Sequence, residues 1–153
     1  MMIYSLINVK AVMSFVLNPQ LQASSVEIGN FPLCKVLLKN HADYPWCILV
    51  PKVMGVSEIY ELERACQLQL IEEISCLSSI MKDYFQPHKI NIASLGNIVS
   101  QLHIHVVARF GDDPLWPHGI WQEAQIAKDY PKEKFEKLRQ DLQRSVEIAF
   151  SKQ

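Results

Sequence analysis

Two histidines spaced two residues apart, His103 and His105, sit in the run Ser100-Gln101-Leu102-His103-Ile104-His105-Val106-Val107-Ala108-Arg109, where polar and apolar residues alternate from Gln101 to Val106. On a strand, residues two apart share a face, so Gln101, His103 and His105 would project together at intervals of roughly 6.6 Å while Leu102, Ile104 and Val106 turn toward a core. Such a row is a small polar platform. Just upstream, Gly96-Asn97 offers a turn in which backbone N–H groups can approach an anion without a Cβ in the way. Three uses of the platform are open. It could be a solvated sheet face, or two ligands of a metal site that lacks a third except for Asp112 and Asp113 just beyond the strand. It could also be a nucleophilic site, in which a neutral imidazole attacks phosphorus and a neighbouring group orients or protonates the leaving oxygen. Spacing alone does not choose among them.

The surrounding sequence supplies a scaffold. Val26–Ile28, Cys34–Lys39 and Trp46–Val50 read as short strands separated by turn chemistry at Gly29-Asn30-Phe31-Pro32 and Asn40–Pro45, which predicts an antiparallel meander. Ser57 stands as a helix cap, followed by Leu62, Ala65, Cys66, Leu70, Ile74, Leu77 and Met81 at helical spacing; the expected helix runs from Ser57 to Tyr84 and Pro87 closes it. Lys89–Ser94 and Leu102–Phe110 form a second antiparallel pair around Gly96 and Asn97. Behind Pro131, residues Lys132–Phe150 carry Phe135, Leu138, Leu142, Val146 and Ala149 on one face of a terminal helix. The order predicts an α+β domain with both helices on one face of an antiparallel sheet, the other face being free for a ligand or a partner.

Bulk properties narrow the partners. A chain of 153 residues, 49% of them hydrophobic, has the size and apolar content of one domain with its own core. Lys and Arg total 15 against 16 Asp and Glu, a formal charge of -1, so neither a nucleic-acid backbone nor an anionic membrane is the expected partner and phosphate recognition must be local. Cys34, Cys47, Cys66 and Cys76 make no Cys-x-x-Cys pair or zinc-knuckle spacing and read as reduced thiols of a cytoplasmic protein. The apolar stretch Met1–Leu17 is interrupted by Asn8 and Lys10, lacks a basic start and a small-residue cleavage site, and is too short to span a bilayer. Translation from Met13 would leave residues 1–12 as an unstructured or misassigned extension and residues 13–153 as the domain.

The segment Lys89–Arg109 resembles the signature region of the histidine-triad (HIT) superfamily, His-φ-His-φ-His-φ-φ with φ apolar, and is most similar to a bacterial branch, often labelled diadenosine tetraphosphate hydrolase-like, whose first triad position is Gln. Leu37-Leu38-Lys39-Asn40, Tyr44-Pro45-Trp46 with Ile48-Leu49-Val50-Pro51, and Asp113-Pro114-Leu115-Trp116-Pro117 with Trp121 extend the likeness over nearly all of residues 20–125.

That resemblance implies a HIT-like sheet of about five strands with one long helix and a C-terminal helix. It also implies a nucleotide hydrolase or transferase acting at the α-phosphate of adenosine nucleotides, dinucleoside polyphosphates or nucleoside phosphoramidates, with a nucleotide-binding protein of little turnover as the alternative. In the family the central histidine forms a nucleotidyl-imidazole intermediate, here on His103, and the last histidine, here His105, holds phosphate oxygens. Gln101 takes the first position, where it can donate and accept hydrogen bonds but cannot titrate. Gly96 and Asn97 match the phosphate-binding turn, Asn91 resembles an asparagine on the same hairpin, and Asn40 is the expected ribose ligand, although an ungapped comparison places Lys39 there. The same comparison puts Cys47 where many relatives carry a pocket histidine. The family's chemistry requires no metal or cofactor, and its members often form twofold dimers that join two sheets. Trp116 and Trp121 are expected to anchor a rigid extension or to edge the site mouth.

Overall fold

The computed structural model describes residues 15–121 and 127–151. The expected N-terminal extension, residues 1–12, lies outside them. A short helix α1 (Pro19–Ala23) leads into strands β1 (Val26–Asn30), β2 (Cys34–Leu38) and β3 (Trp46–Pro51). A single 3-10 turn (Ile59–Glu61) then precedes the long helix α2 (Arg64–Phe85), strands β4 (Lys89–Ala93) and β5 (Ile104–Arg109), and helix α3 (Lys132–Ala149). The five strands form one sheet in the order β1-β2-β3-β5-β4, with every neighbouring pair antiparallel. The α+β sheet expected from the sequence is therefore the sheet that forms.

One face of the sheet is closed by the helices. Val36, Leu49, Ile104, Val106 and Ala108 pack with Leu70, Ile74, Leu77 and Met81 of α2 and Leu138, Leu142 and Val146 of α3 in a single buried cluster. Burial of a large aliphatic side chain stabilises by roughly 1.5–3 kcal/mol, so this layer carries most of the fold's cohesion. α3 approaches β1 closely enough that a Cβ on Gly29 would lie 2.7 Å from Val146 Cγ1, and Gly29 stands at φ +153 beside an irregularity in the β1–β2 register. Glycine is what lets helix and strand meet there. Within the same layer the buried Glu73 carboxylate of α2 accepts the backbone N–H groups of Leu33 (2.7 Å) and Cys34 (2.9 Å), tying the helix to the β1–β2 turn.

Three boundaries depart from expectation by two residues or more, and the first is β1, which runs on through Gly29 and Asn30 where a turn was expected. Helix α2 starts at Arg64, not behind Ser57: the Glu61 carboxylate accepts the N–H groups of Ser57 and Glu58 and closes an independent 3-10 turn. Leu62 and Glu63 are then extended, so the helix begins anew after them. Strand β5 starts at Ile104, two residues later than the alternation suggests, so Gln101 and His103 precede the ladder instead of belonging to it. Among the described residues, no helix is long and apolar enough to cross a membrane.

Candidate active site

The uncovered sheet face holds a cavity of about 480 Å³ over β3 and β5, bordered by Lys39 just past β2, within the range of small-ligand sites. Its floor follows from the β3–β5 register, which sets Ile48 opposite His105 and Trp46 opposite Val107. Helix α1 supplies one wall through Gln20, Leu21 and Ser24, the β4–β5 connection supplies another from Leu95 to Val99, and Ile120 and Trp121 close a third side. Leu21, Leu37, Ile48, Val50 and Val99 form a second apolar cluster beneath it. The cavity thus has an apolar end at Leu21, Ile48 and Val99 and a polar end at the histidines.

His103 and His105 are only 5% and 8% exposed, with ring centroids 4.8 Å apart in an edge-to-face arrangement. Their protonation is fixed by their partners. His103 Nδ1 lies 2.7 Å from the carbonyl oxygen of Gln101. A carbonyl only accepts, so the proton sits on Nδ1 and the lone pair on Nε2. For His105 the pattern is reversed: the indole Nε1–H of Trp46 donates to His105 Nδ1 at 3.0 Å. Indole only donates, so His105 carries its proton on Nε2. Burial, reinforced by His103 and the Lys39 ammonium, pushes the His105 pKa down to about 3. The cavity therefore presents one imidazole nitrogen with a free lone pair and one neutral N–H donor.

Gly96 adopts φ +75, the left-handed conformation that favours glycine. It carries the chain past the histidines so that Gly96 and Asn97 line the cavity beside them. Lys39, just past the end of β2, lines the cavity too, with Nζ 4.4 Å from the centre of the Trp46 ring, and burial holds its pKa below the usual lysine value. Trp121 packs edge-on to Trp46 and against His105, at 5.7 and 5.1 Å between centroids.

Four of the expected site residues, His103, His105, Gly96 and Asn97, thus come together around the cavity, and three do not. The Gln101 side chain turns away: Oε1 accepts the Asn18 N–H at 2.8 Å and Nε2 donates to the Val16 carbonyl at 2.9 Å. Asn40 Oδ1 accepts the Tyr130 N–H at 2.9 Å, which joins the β2–β3 connection to the segment before α3. Asn91 Oδ1 accepts from Arg109 Nη1. Arg109 is in turn held by Asp113 through two hydrogen bonds of 2.7 and 2.9 Å and is fully buried. Trp116 packs over this Arg109 guanidinium and beside His88, so of the two tryptophans only Trp121 reaches the cavity.

Helix α1 is not among the expected elements, although Asn18 followed by Pro19 is a helix-start signal, and Asn18 Oδ1 does cap the Gln20 N–H. Among the described residues, no group of three His, Cys, Asp or Glu side chains is arranged to hold a metal ion.

A HIT domain family model matches residues 20–112. Among solved structures, a histidine triad protein from Marinobacter aquaeolei is 41% identical, with 87% of this chain and 96% of that one covered at a TM-score of 0.82. One from Bradyrhizobium japonicum is 36% identical, with 86% and 98% covered and a TM-score of 0.82. A third, from Sinorhizobium meliloti, is 34% identical, with 88% and 98% covered at the same TM-score. No curated protein matches the chain. The chain belongs to the HIT domain family, whose members are in general nucleotide-binding proteins, hydrolases or transferases.

Proposed function

We propose that this protein is a nucleotide hydrolase or transferase that acts at the α-phosphate of an adenosine nucleotide through a nucleotidyl intermediate on His103. The observation that carries the reading is the 2.7 Å bond from His103 Nδ1 to the Gln101 carbonyl, which leaves Nε2 as the nucleophilic nitrogen in the cavity. In the first step the Nε2 lone pair forms an N–P bond, the bond from phosphorus to the leaving group breaks, and its electron pair departs with that group. The Nδ1 proton stays in place, so the charge developing on the ring is stabilised by the Gln101 carbonyl. The His105 Nε2–H and the Gly96-Asn97 turn are placed to stabilise the phosphoryl oxygens as phosphorus becomes five-coordinate. Water then attacks phosphorus, the N–P bond breaks with its electrons returning to Nε2, and the proton released by water leaves with solvent or product phosphate. The apolar end of the cavity at Leu21, Ile48 and Val99 suits a nucleobase. Lys39 takes the place expected for Asn40 beside the nucleotide.

The four cysteines are free thiols, and the cytoplasmic setting expected from the sequence is part of the same proposal. A homodimer is part of the same proposal, supported by the position of β4 at a sheet edge with Ile92 half-exposed on it. The decisive test is intact-protein mass spectrometry after brief mixing with diadenosine tetraphosphate, quenched so that P–N bonds survive. An added AMP mass on the wild type and none on His103→Ala is the expected result. Binding of AMP with neither adduct nor product would replace this proposal with a nucleotide-binding module, in which the non-titrating Gln101 at the first triad position marks lost catalysis.

A further inference from the structure

The Trp46 indole stands outside the residues assigned to the reaction, yet it touches three groups at the polar end of the cavity. Its N–H donates to His105 Nδ1 at 3.0 Å, its face carries the Lys39 ammonium 4.4 Å from the ring centre, and it meets Trp121 in an edge-to-face pair. The charged and titratable groups that bear on His105 are His103 from the same segment and Lys39 from the end of β2, and both disfavour a second proton. An imidazolium donates from both nitrogens, so it cannot keep the bond in which Nδ1 accepts from the indole. As long as that bond holds, His105 is a neutral donor through Nε2.

We infer that Trp46 fixes which nitrogen of His105 carries the proton and thereby restricts the reaction to leaving groups that depart as anions, phosphoanhydrides in place of phosphoramidates. This rests on the nucleotidyl-transfer reading given above. A neutral imidazole that lost its Nε2 proton would become an imidazolate, which is inaccessible near neutral pH, so His105 offers a hydrogen bond to the phosphoryl or leaving oxygen but no proton. A polyphosphate chain leaves as a stable anion when the P–O bond breaks and takes the electron pair unaided. An alkylamine must gain a proton as the P–N bond breaks, and His105 does not supply it. Trp46 is a positioning residue, acting through His105.

The test separates the two halves. Site-specific replacement of Trp46 by benzothienylalanine keeps the shape of the ring system and removes the N–H, with Trp46→Phe as a second variant. Long-range 1H–15N correlation spectra of the unliganded protein report the tautomer of each histidine without any turnover. The wild type is expected to show His105 protonated at Nε2 alone, and the N–H-deleted protein to show a mixture of tautomers. With diadenosine tetraphosphate and an adenosine 5′-alkylphosphoramidate as paired substrates, the wild type should favour the anhydride in kcat/KM. The replacement should lower kcat for the anhydride in proportion to the fraction of His105 that has lost its Nε2–H, about twofold for an even mixture of tautomers, with KM little changed. The preference should narrow most below pH 6, where the released His105 takes up a proton more readily.

A single unchanged Nε2–H tautomer in the replaced protein would overturn the role of Trp46. A wild-type preference for the phosphoramidate would overturn the leaving-group restriction. Absence of both an AMP adduct and any product with either substrate would remove the transfer reading itself, and the restriction with it, whatever the spectra show.

Discussion

The carboxamide of Gln101 accepts the backbone N–H of Asn18 at 2.8 Å, and its amide returns a bond to the carbonyl of Val16 at 2.9 Å. A residue expected to stand beside the reacting phosphorus instead fastens the segment leading into α1, whose Gln20, Leu21 and Ser24 form the far wall of the cavity. Only a side chain with an acceptor and a donor on one planar group serves both partners. Gln101→Ala is therefore expected to raise KM several-fold with a smaller effect on kcat, at a stability cost of about 1 kcal/mol for two partly exposed hydrogen bonds. Gln101→Glu keeps the acceptor but sets a carboxylate against the Val16 carbonyl, so it should behave like the alanine variant. Steady-state kinetics paired with denaturant melts check this; loss of kcat at constant KM would return Gln101 to the chemistry.

Lys39 and Asn40 are adjacent in sequence but do different work. Asn40 Oδ1 holds the Tyr130 N–H, and Lys39 extends over Trp46 at the cavity. Asn40→Ala should lower stability by about 1–2 kcal/mol, because it leaves a partly buried N–H without its acceptor, with the nucleotide KM unchanged. Lys39→Met should do the opposite, weakening nucleotide affinity about tenfold through loss of the ammonium that lines the cavity, while the melting temperature holds. Calorimetric titration with AMP, run beside thermal melts of both variants, distinguishes the two.

The same pair shows where sequence reasoning reaches its limit. The strands, the helical faces and the His103–His105 spacing were legible because they depend on local periodicity and turn chemistry, and the sheet formed as expected. Which of Lys39 and Asn40 faces the cavity depends on how the chain turns just beyond Leu38, where alternation no longer applies. Asn91 is expected at the site from its resemblance alone, yet its partner Arg109 is fixed only when β4 pairs with β5. The Trp46–His105 bond likewise exists only through the β3–β5 register, across 59 residues of sequence. The start of α2 was misread for a local reason: the Glu61 side chain competes for the N–H groups that a helix beginning at Ser57 would have left for water or a cap.

Glu73 tests how far the scaffold and the site are independent. Its carboxylate is fully buried and accepts from Leu33 N–H, Cys34 N–H and the Gln69 side chain, while burial raises its pKa above the usual carboxylate value. In Glu73→Gln one oxygen is replaced by an NH2 group facing a backbone N–H, so a donor meets a donor. A loss of about 2–3 kcal/mol is expected. This turn lies on the helix side of the sheet, away from the cavity, so activity per folded molecule should be unchanged. Urea melts and active-site titration measure the two separately.

Acid should weaken the fold through His105, and the sign follows from where its proton binds. In the unfolded chain the imidazole titrates near its ordinary value of about 6.5, whereas burial beside His103 and Lys39 lowers the folded value to about 3. Between those limits the unfolded state binds more protons, so this contribution is complete above the upper limit and is lost as pH falls toward the lower one, by up to about 1.4 kcal/mol per pH unit. His41, also lowered by burial, acts in the same direction. Glu73 acts against it, since its folded form takes up a proton before the unfolded one does. The contribution of His105 is isolated by difference with His105→Asn, whose amide oxygen can still accept from Trp46. The stability of wild type relative to this variant should fall by roughly 3 kcal/mol between pH 7 and pH 4, measured by urea melts across that range. A difference that does not change with pH would mean that His105 takes up its proton at the same pH in the folded and unfolded states, which the Trp46 N–H bond does not allow.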